Sequence, residues 1–316
     1  MVKERDTGID FVKFVALFLV LNSHMGMSYV DEFKSLATGG AIGDALFFFA
    51  SGFTLFLGRD LDFVNWYKRR INRIYPSLMA VAIIGAAVFS ANESFVEVFL
   101  AKKYWFIQCI FILYPLLYLV KRYVKKREIL LIVLTIIVMG IYSIIHKGEL
   151  FYAGGYYRWA VYLLFMLLGA IMGKEREKIR QINVWLALLL TAICIIAWYG
   201  LLYFLSDSWL QVITIIPLMA IAVFMYSLGK SKPLMVLFNS KIFGPVLISI
   251  GALCLESYLI QKYIITDSWN GFFPFNIPLI MICVLVASYC SKILANFINQ
   301  IFDSEPIDWK KLLVLY

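Results

Sequence analysis

Lys13 and His24 stand eleven residues apart in an otherwise apolar stretch, Ile9 to Met25, that also carries Asp10 and Asn22. At about 100° per residue, eleven positions make three helical turns plus about 20°. A helix here would project both side chains from one face, about 16.5 Å apart along its axis. Ionisable groups are costly in a segment apolar enough to enter a bilayer, so a functional reason is the default reading. A neutral imidazole can take a proton from a hydroxyl, and a carboxylate can orient it for that task, which makes His24 a candidate general base. The plainer alternative is a histidine that makes a structural hydrogen bond. Glu256 and Asp44 are the candidate carboxylates, each within or at the start of an apolar run. Their plainer readings are a helix-pairing glutamate and an acidic helix start. The other histidine, His146, ends a run beside Lys147 and reads as a solvated interface residue.

A second constellation is basic. Arg69, Arg70 and Arg73 lie in the segment Phe63 to Pro76, which reads as an amphipathic stretch leading into a span, with Pro76 in the first turn of that span. The planar guanidinium suits bidentate phosphate binding, and the i, i+3/i+4 spacing groups the three arginines on one helix face. An anchor to anionic headgroups is the competing reading. Two turns, Phe151–Trp159 and Ser268–Phe275, are rich in aromatic rings. They fit an aromatic belt at the membrane interface, and also a platform on which rings pack against a sugar.

These residues must be positioned by membrane helices. Hydrophobic residues make up 62% of the 316 and charged residues only 16%, far from the balance of a soluble domain. About ten apolar runs are expected as spans: Ile9–Met27, Ile42–Leu57, Pro76–Phe89, Tyr104–Val120, Ile129–Ile145, Ala160–Gly173, Val184–Leu205, Leu210–Leu228, Ile242–Ile265 and Ile277–Phe302. Alternate connections carry 21 basic residues on one side and 6 on the other. That bias predicts an even number of spans with both termini cytoplasmic. The expectation is an all-α polytopic protein in the plasma or inner membrane, a single integral domain over residues 1–316 with a short cytoplasmic tail, 303–316. The first run reads as a retained helix, because no small-residue cleavage site follows it. The net charge of +9 is spread in short clusters between runs, which fits membrane topology and not a nucleic-acid-binding face. The five cysteines show no metal-ligand spacing and read as small core residues. No P-loop, dinucleotide-binding glycine pattern, zinc motif or GxSxG is found.

Five stretches, in order, resemble the membrane acyltransferase family 3. They are the first run with Lys13 and His24; Leu46-Phe47-Phe48-Phe49-Ala50-Ser51-Gly52-Phe53; Arg69-Arg70-Ile71-Asn72-Arg73-Ile74-Tyr75-Pro76; Tyr104-Trp105-Phe106-Ile107-Gln108; and Leu255-Glu256-Ser257-Tyr258-Leu259-Ile260-Gln261. The resemblance implies transfer of an acetyl or other short acyl group from cytoplasmic acyl-CoA, with no metal, to a hydroxyl of a cell-envelope glycan or its lipid-linked precursor. It implies catalysis at His24 by proton transfer or by a brief acyl intermediate, with Glu256 as partner. Lys13, Arg69, Arg70 and Arg73 would contact coenzyme A, and Asp44, Trp105, Gln108 and Tyr258 would support the acceptor. Two residues depart from the family pattern: lysine for arginine at position 13, and Gln261 where histidine is common. Membrane lipids and a glycan are the expected partners, and self-association is left open. The rival reading from composition is a transporter or flippase for a lipid-linked sugar, using the same carboxylates and aromatic turns for passage.

Overall fold

The computed structural model describes residues 5–58, 60–124, 127–145, 157–179, 181–205, 208–302 and 305–315. His146 and most of the Phe151–Trp159 turn lie outside them. Among the described residues every regular element is helical: α1 (Thr7–His24), α2 (Gly40–Leu57), α3 (Phe63–Phe89), α4 (Phe95–Phe99), α5 (Trp105–Tyr123), α6 (Glu128–Ile145), α7 (Tyr157–Glu175), α8 (Val184–Leu205), α9 (Ile215–Gly229), α10 (Lys232–Phe238), α11 (Phe243–Ala252), α12 (Cys254–Ile264), α13 (Asn276–Ile301) and α14 (Trp309–Leu312), with short 3₁₀ turns between some of them.

All ten expected runs fall largely on helix. Among the described residues eight helical segments are long and apolar enough to cross a membrane, or nine if α10 and α11, bent by 88° at their junction, form one span. The sixth run, on α7, carries Arg158 in its first turn and Lys174 in its last. The ninth run breaks at Leu253 into α11 and α12. The 11 residues of α12 reach only about 16 Å against a hydrocarbon core of about 30 Å. A further correction concerns Pro76. It does not open a span but lies inside the 27-residue α3, so the amphipathic segment and the third run are one continuous helix. Membrane helices tolerate proline where neighbouring groups satisfy the carbonyl it leaves unpaired.

The chain divides into two compact units. The first comprises Met1–Ala16, Ala41–Arg59 and Leu116–Leu247. In it α2 and α7 meet backbone to backbone. A Cβ on Gly52 would collide with the main chain of Met166, and one on Gly169 with the carbonyl of Phe49; at Gly173 it would lie 2.9 Å from the carbonyl of Phe53. Gly169 and Gly173, four residues apart, share one face of α7, the small-residue spacing that lets membrane helices approach closely. At the start of α1, Asp6 accepts hydrogen bonds from the N–H groups of Gly8 (3.0 Å) and Ile9 (3.3 Å) and from the buried Tyr226 hydroxyl (3.0 Å). The helix is thereby capped and fastened to α9. Glu128, 5% exposed at the start of α6, pairs with Lys174 at the end of α7.

The second unit comprises Leu17–Gly40, Asp60–Pro115 and Ile248–Tyr316. Its centre is the packing of α3, α12 and α13, joined by polar side chains. Ser77 of α3 donates to Glu256 of α12 (2.7 Å), and Lys292 of α13 pairs with the same carboxylate oxygen at 3.3 Å. Ser257 and Ser288 join α12 to α13 at 2.9 Å. On α4, Ser94 and Glu97 form a reciprocal capping box.

The glycine contact yields a test. Gly169→Val forces a side chain into the α2 backbone and is expected to destabilise the detergent-solubilised protein by about 1–3 kcal/mol or more. Gly140→Ala on α6, where a Cβ meets nothing within 4 Å, should leave the thermal midpoint unchanged or slightly raised. A midpoint that responds equally to both would show that α2 and α7 do not pack through these glycines.

Candidate active site

His24 is the last residue of α1, and its side chain is exposed. The backbone that follows is fixed by three hydrogen bonds to the connection between α12 and α13. The Asn270 side chain donates to the Met27 carbonyl (3.0 Å), Ser28 donates to the Thr266 carbonyl (2.8 Å), and Asn276 donates to the Ser28 carbonyl (2.7 Å). Asn22, one of the polar residues that mark the first run, also has a positioning task. Its amide donates to the carbonyls of Leu36 (2.7 Å) and Thr38 (3.0 Å), and its oxygen accepts from Tyr29 (2.6 Å). The imidazole therefore stands on a braced backbone while its ring stays open to reactants.

Gln261 of α12 is the hydrogen-bond partner of that ring. Its amide nitrogen is 2.8 Å from His24 Nδ1 and 3.2 Å from the Tyr258 carbonyl, and the side chain is buried. Glu256, the expected orienting carboxylate, instead meets Ser77 and Lys292. The reason is angular. Five residues along a helix turn the side chain by about 140°, so Glu256 and Gln261 face different neighbours.

Tyr258 does come to the histidine, with ring centroids 6.4 Å apart. Behind it stand Phe106 at 5.4 Å and Tyr104 at 6.1 Å. Trp105 packs edge-on to Phe106, and the Gln108 amide donates to the Leu100 carbonyl at 3.4 Å. The Tyr104–Gln108 motif thus supplies the aromatic wall behind Tyr258 and fastens the turn that leads into α5.

The arginine block divides. Arg69 and Arg73 are exposed on one face of α3, one turn apart, whereas Arg70 is half-buried with its guanidinium 5.3 Å from the Trp66 ring centroid. Arg70 Nε is buried and has no hydrogen-bond partner among the described residues. The expected grouping of all three on one face holds only for Arg69 and Arg73.

In the first unit, Lys13 is half-buried on α1, three turns before His24. Asp44, near the start of α2, accepts from Tyr162 at 3.4 Å, and the Tyr162 ring stacks on Phe48 with centroids 4.6 Å apart. In the Ser268–Phe275 turn, Phe273 stacks on Phe33 at 5.4 Å, while Phe272 and Phe275 are exposed, as an interface belt requires. Among the described residues no group of three or more His, Cys, Asp or Glu could hold a metal ion.

The sequence family described as Acyltransferase domain matches residues 6–296 of the chain. The chain belongs to that acyltransferase family. Neither a curated protein nor a solved structure matches it. The five ordered stretches that resemble acyltransferase family 3 thus lie in a chain matched almost end to end, and its apolar helices make it a multi-pass membrane protein of that family.

Sequence reading missed the roles of four residues around this candidate site. Gln261 stands out only as a departure from the family pattern, and Ser77 carries no signal of its own. Lys292 is a charge inside the last apolar run, and that cost is itself a pointer to a buried partner. The fourth is Glu93 in the connection between α3 and α4. It receives Lys262 (2.5 Å), Tyr263 (3.0 Å) and Lys103 (3.4 Å). Lys262 adjoins Gln261 in sequence and lies 4.5 Å from the Tyr104 ring centroid. Burial works to raise the Glu93 pKa, but Lys262 first, then Tyr263 and Lys103, outweigh it and hold the carboxyl below its ordinary value. A depressed folded-state pKa gives stability that is present above the unfolded value, about 4.3, and lost as pH falls through the folded one. The thermal midpoint of the wild type is therefore expected to drop more steeply than that of Glu93→Gln as pH falls from about 5 towards the folded pKa. Parallel pH profiles would show that the cluster contributes nothing to folding.

Proposed function

We propose that this acyltransferase-family protein is an O-acyltransferase that moves an acetyl or other short acyl group from acyl-CoA, supplied on the cytoplasmic side, to a hydroxyl of a cell-envelope polysaccharide or its lipid-linked precursor. The observation that carries the reading is the exposed His24 ring, braced through its backbone and held at Nδ1 by a buried amide. A pre-positioned imidazole is what general-base catalysis of acyl transfer needs. His24 takes the proton of the acceptor hydroxyl as that oxygen attacks the thioester carbonyl. The C–S bond then breaks, and the proton passes to the departing coenzyme A sulfur. Tyr258 and the rings behind it shield the ring from bulk water on one side.

The donor has a matching surface. Exposed Arg69 and Arg73, one turn apart, present two guanidinium forks to phosphate groups, and Arg70 Nε is a buried donor without an acceptor among the described residues. Those features suit the phosphates of coenzyme A. Lys13 is assigned a role towards the donor on the family resemblance, and Asp44 a supporting role as a carboxylate at the start of the second run.

The direct test is purified protein in detergent with acetyl-CoA, following thiol release, wild type beside His24→Ala. The variant is expected to lose about 100-fold or more in kcat, and unchanged turnover would sink the assignment. Absence of acyl-CoA binding by the wild type would favour a transporter. In a separate binding measurement, Arg69→Gln with Arg73→Gln is expected to weaken coenzyme A binding by about tenfold or more, since each charge-assisted hydrogen bond is worth about 1.5–3 kcal/mol. Unaltered donor affinity would leave the block as a membrane anchor.

A further inference from the structure

The amide of Gln261 touches two groups at once, and only one of its atoms can do so. The Tyr258 carbonyl, 3.2 Å away, is solely an acceptor, so the amide atom facing it must be the nitrogen. The same nitrogen is 2.8 Å from His24 Nδ1. Its second hydrogen then points at the ring, and Nδ1 must offer a lone pair. In a neutral imidazole this leaves the proton on Nε2, the ring nitrogen turned away from Gln261. His24 at rest is accordingly an N–H donor towards its reactants, whereas the base role set out above needs a lone pair at Nε2.

The other end of the same amide resolves that conflict. Gln261 Oε1 is buried, in a side chain of a residue only 3% exposed, and has no hydrogen-bond partner among the described residues. An acceptor left unused in such a place calls for an explanation. Half a turn about the last side-chain bond exchanges nitrogen and oxygen. Oε1 would then accept from a protonated Nδ1, with the side chain swung so that the oxygen no longer faces the Tyr258 carbonyl, and Nε2 would carry the lone pair. The ring stays neutral through the exchange: Nε2 releases one proton to water and Nδ1 gains one. When the acceptor hydroxyl then gives its proton to Nε2, the resulting imidazolium has its Nδ1–H held by the amide oxygen.

We propose that Gln261 is a positioning residue that selects the tautomer of His24, with one amide orientation that keeps the ring as a donor at rest and a second that makes it a base. The proposal rests on the reading of His24 as general base, but its first test does not require turnover. Full-length protein labelled with ¹⁵N-histidine is examined by NMR in detergent at about two pH units above an ordinary histidine pKa. The His24 signals are identified as those absent from His24→Gln. Ring nitrogens with and without a proton have well-separated shifts. The wild type without acyl-CoA is expected to show a protonated Nε2 and an unprotonated, hydrogen-bonded Nδ1. Gln261→Glu, whose carboxylate can only accept, should reverse that pattern, and Gln261→Met should give a mixture of both tautomers. In turnover, Gln261→Met is expected to lower kcat by about tenfold with KM for acetyl-CoA unchanged, and Gln261→Glu to recover part of the loss.

A proton on Nδ1 in the resting wild type overturns the proposal, and so does the same tautomer in wild type and Gln261→Glu. Should the Gln261 variants insert poorly, the wild-type spectrum alone decides the resting tautomer. Failure of the general-base reading shows separately, as unaltered turnover in His24→Ala alongside the expected wild-type spectrum.

Discussion

A polar side chain carried into hydrocarbon finds no water, and leaving it unpaired costs more there than almost any packing defect. The second unit of this protein is organised by that constraint. Glu256, Ser77, Lys292, Ser257, Ser288 and Asn276 lie in or beside apolar helices, and each has a partner on another element. Such contacts add directional terms to packing that is otherwise non-directional between apolar helices in lipid. They fix which faces of α3, α12 and α13 meet, and hence the rotation of α12 about its own axis.

That rotation decides the partner of His24. With Glu256 turned towards Ser77 and Lys292, the residue five positions later comes round by about 140°. Gln261 is thereby aimed at the end of α1. The same unit braces the other side of the contact, because Ser28, Asn270 and Asn276 hold the chain that follows the histidine. A reactive side chain at a helix end would otherwise sit where helices fray. Here exposure of the ring and rigidity of its backbone coexist because the bracing is made by other residues.

How far the residues announced this differs by level. The helices were legible because a run of apolar residues needs no partner to be recognised, and the family motifs could be read in order. The number of spans was less legible. The break at Leu253 is set by local packing, which hydropathy averages away. Arg69 and Arg73 were correctly read as one face, since four residues return to nearly the same angle, while Arg70 is turned by about 100° towards Trp66. The pairing of His24 was not legible. A carboxylate is the commoner orienting group, and nothing in the spacing of Glu256 shows that Ser77 and Lys292, 179 and 36 positions away, have already claimed it.

Glu256 then acquires a different task from the one its chemistry first suggests. Its carboxylate receives Ser77, which lies four residues, about 6 Å along α3, beyond Arg73. Gln261 lies about 7.5 Å further along α12 from Glu256. One buried hydrogen bond therefore joins the helix that carries Arg69, Arg70 and Arg73 to the helix whose Gln261 holds His24. Lys292 of α13 holds the same carboxylate oxygen in place. Without Lys292 the carboxylate would join α12 to α3 alone and would no longer tie three helices together. The intramembrane ion pair thus fixes how α3, α12 and α13 meet, and the residue beside His24 can be an uncharged amide.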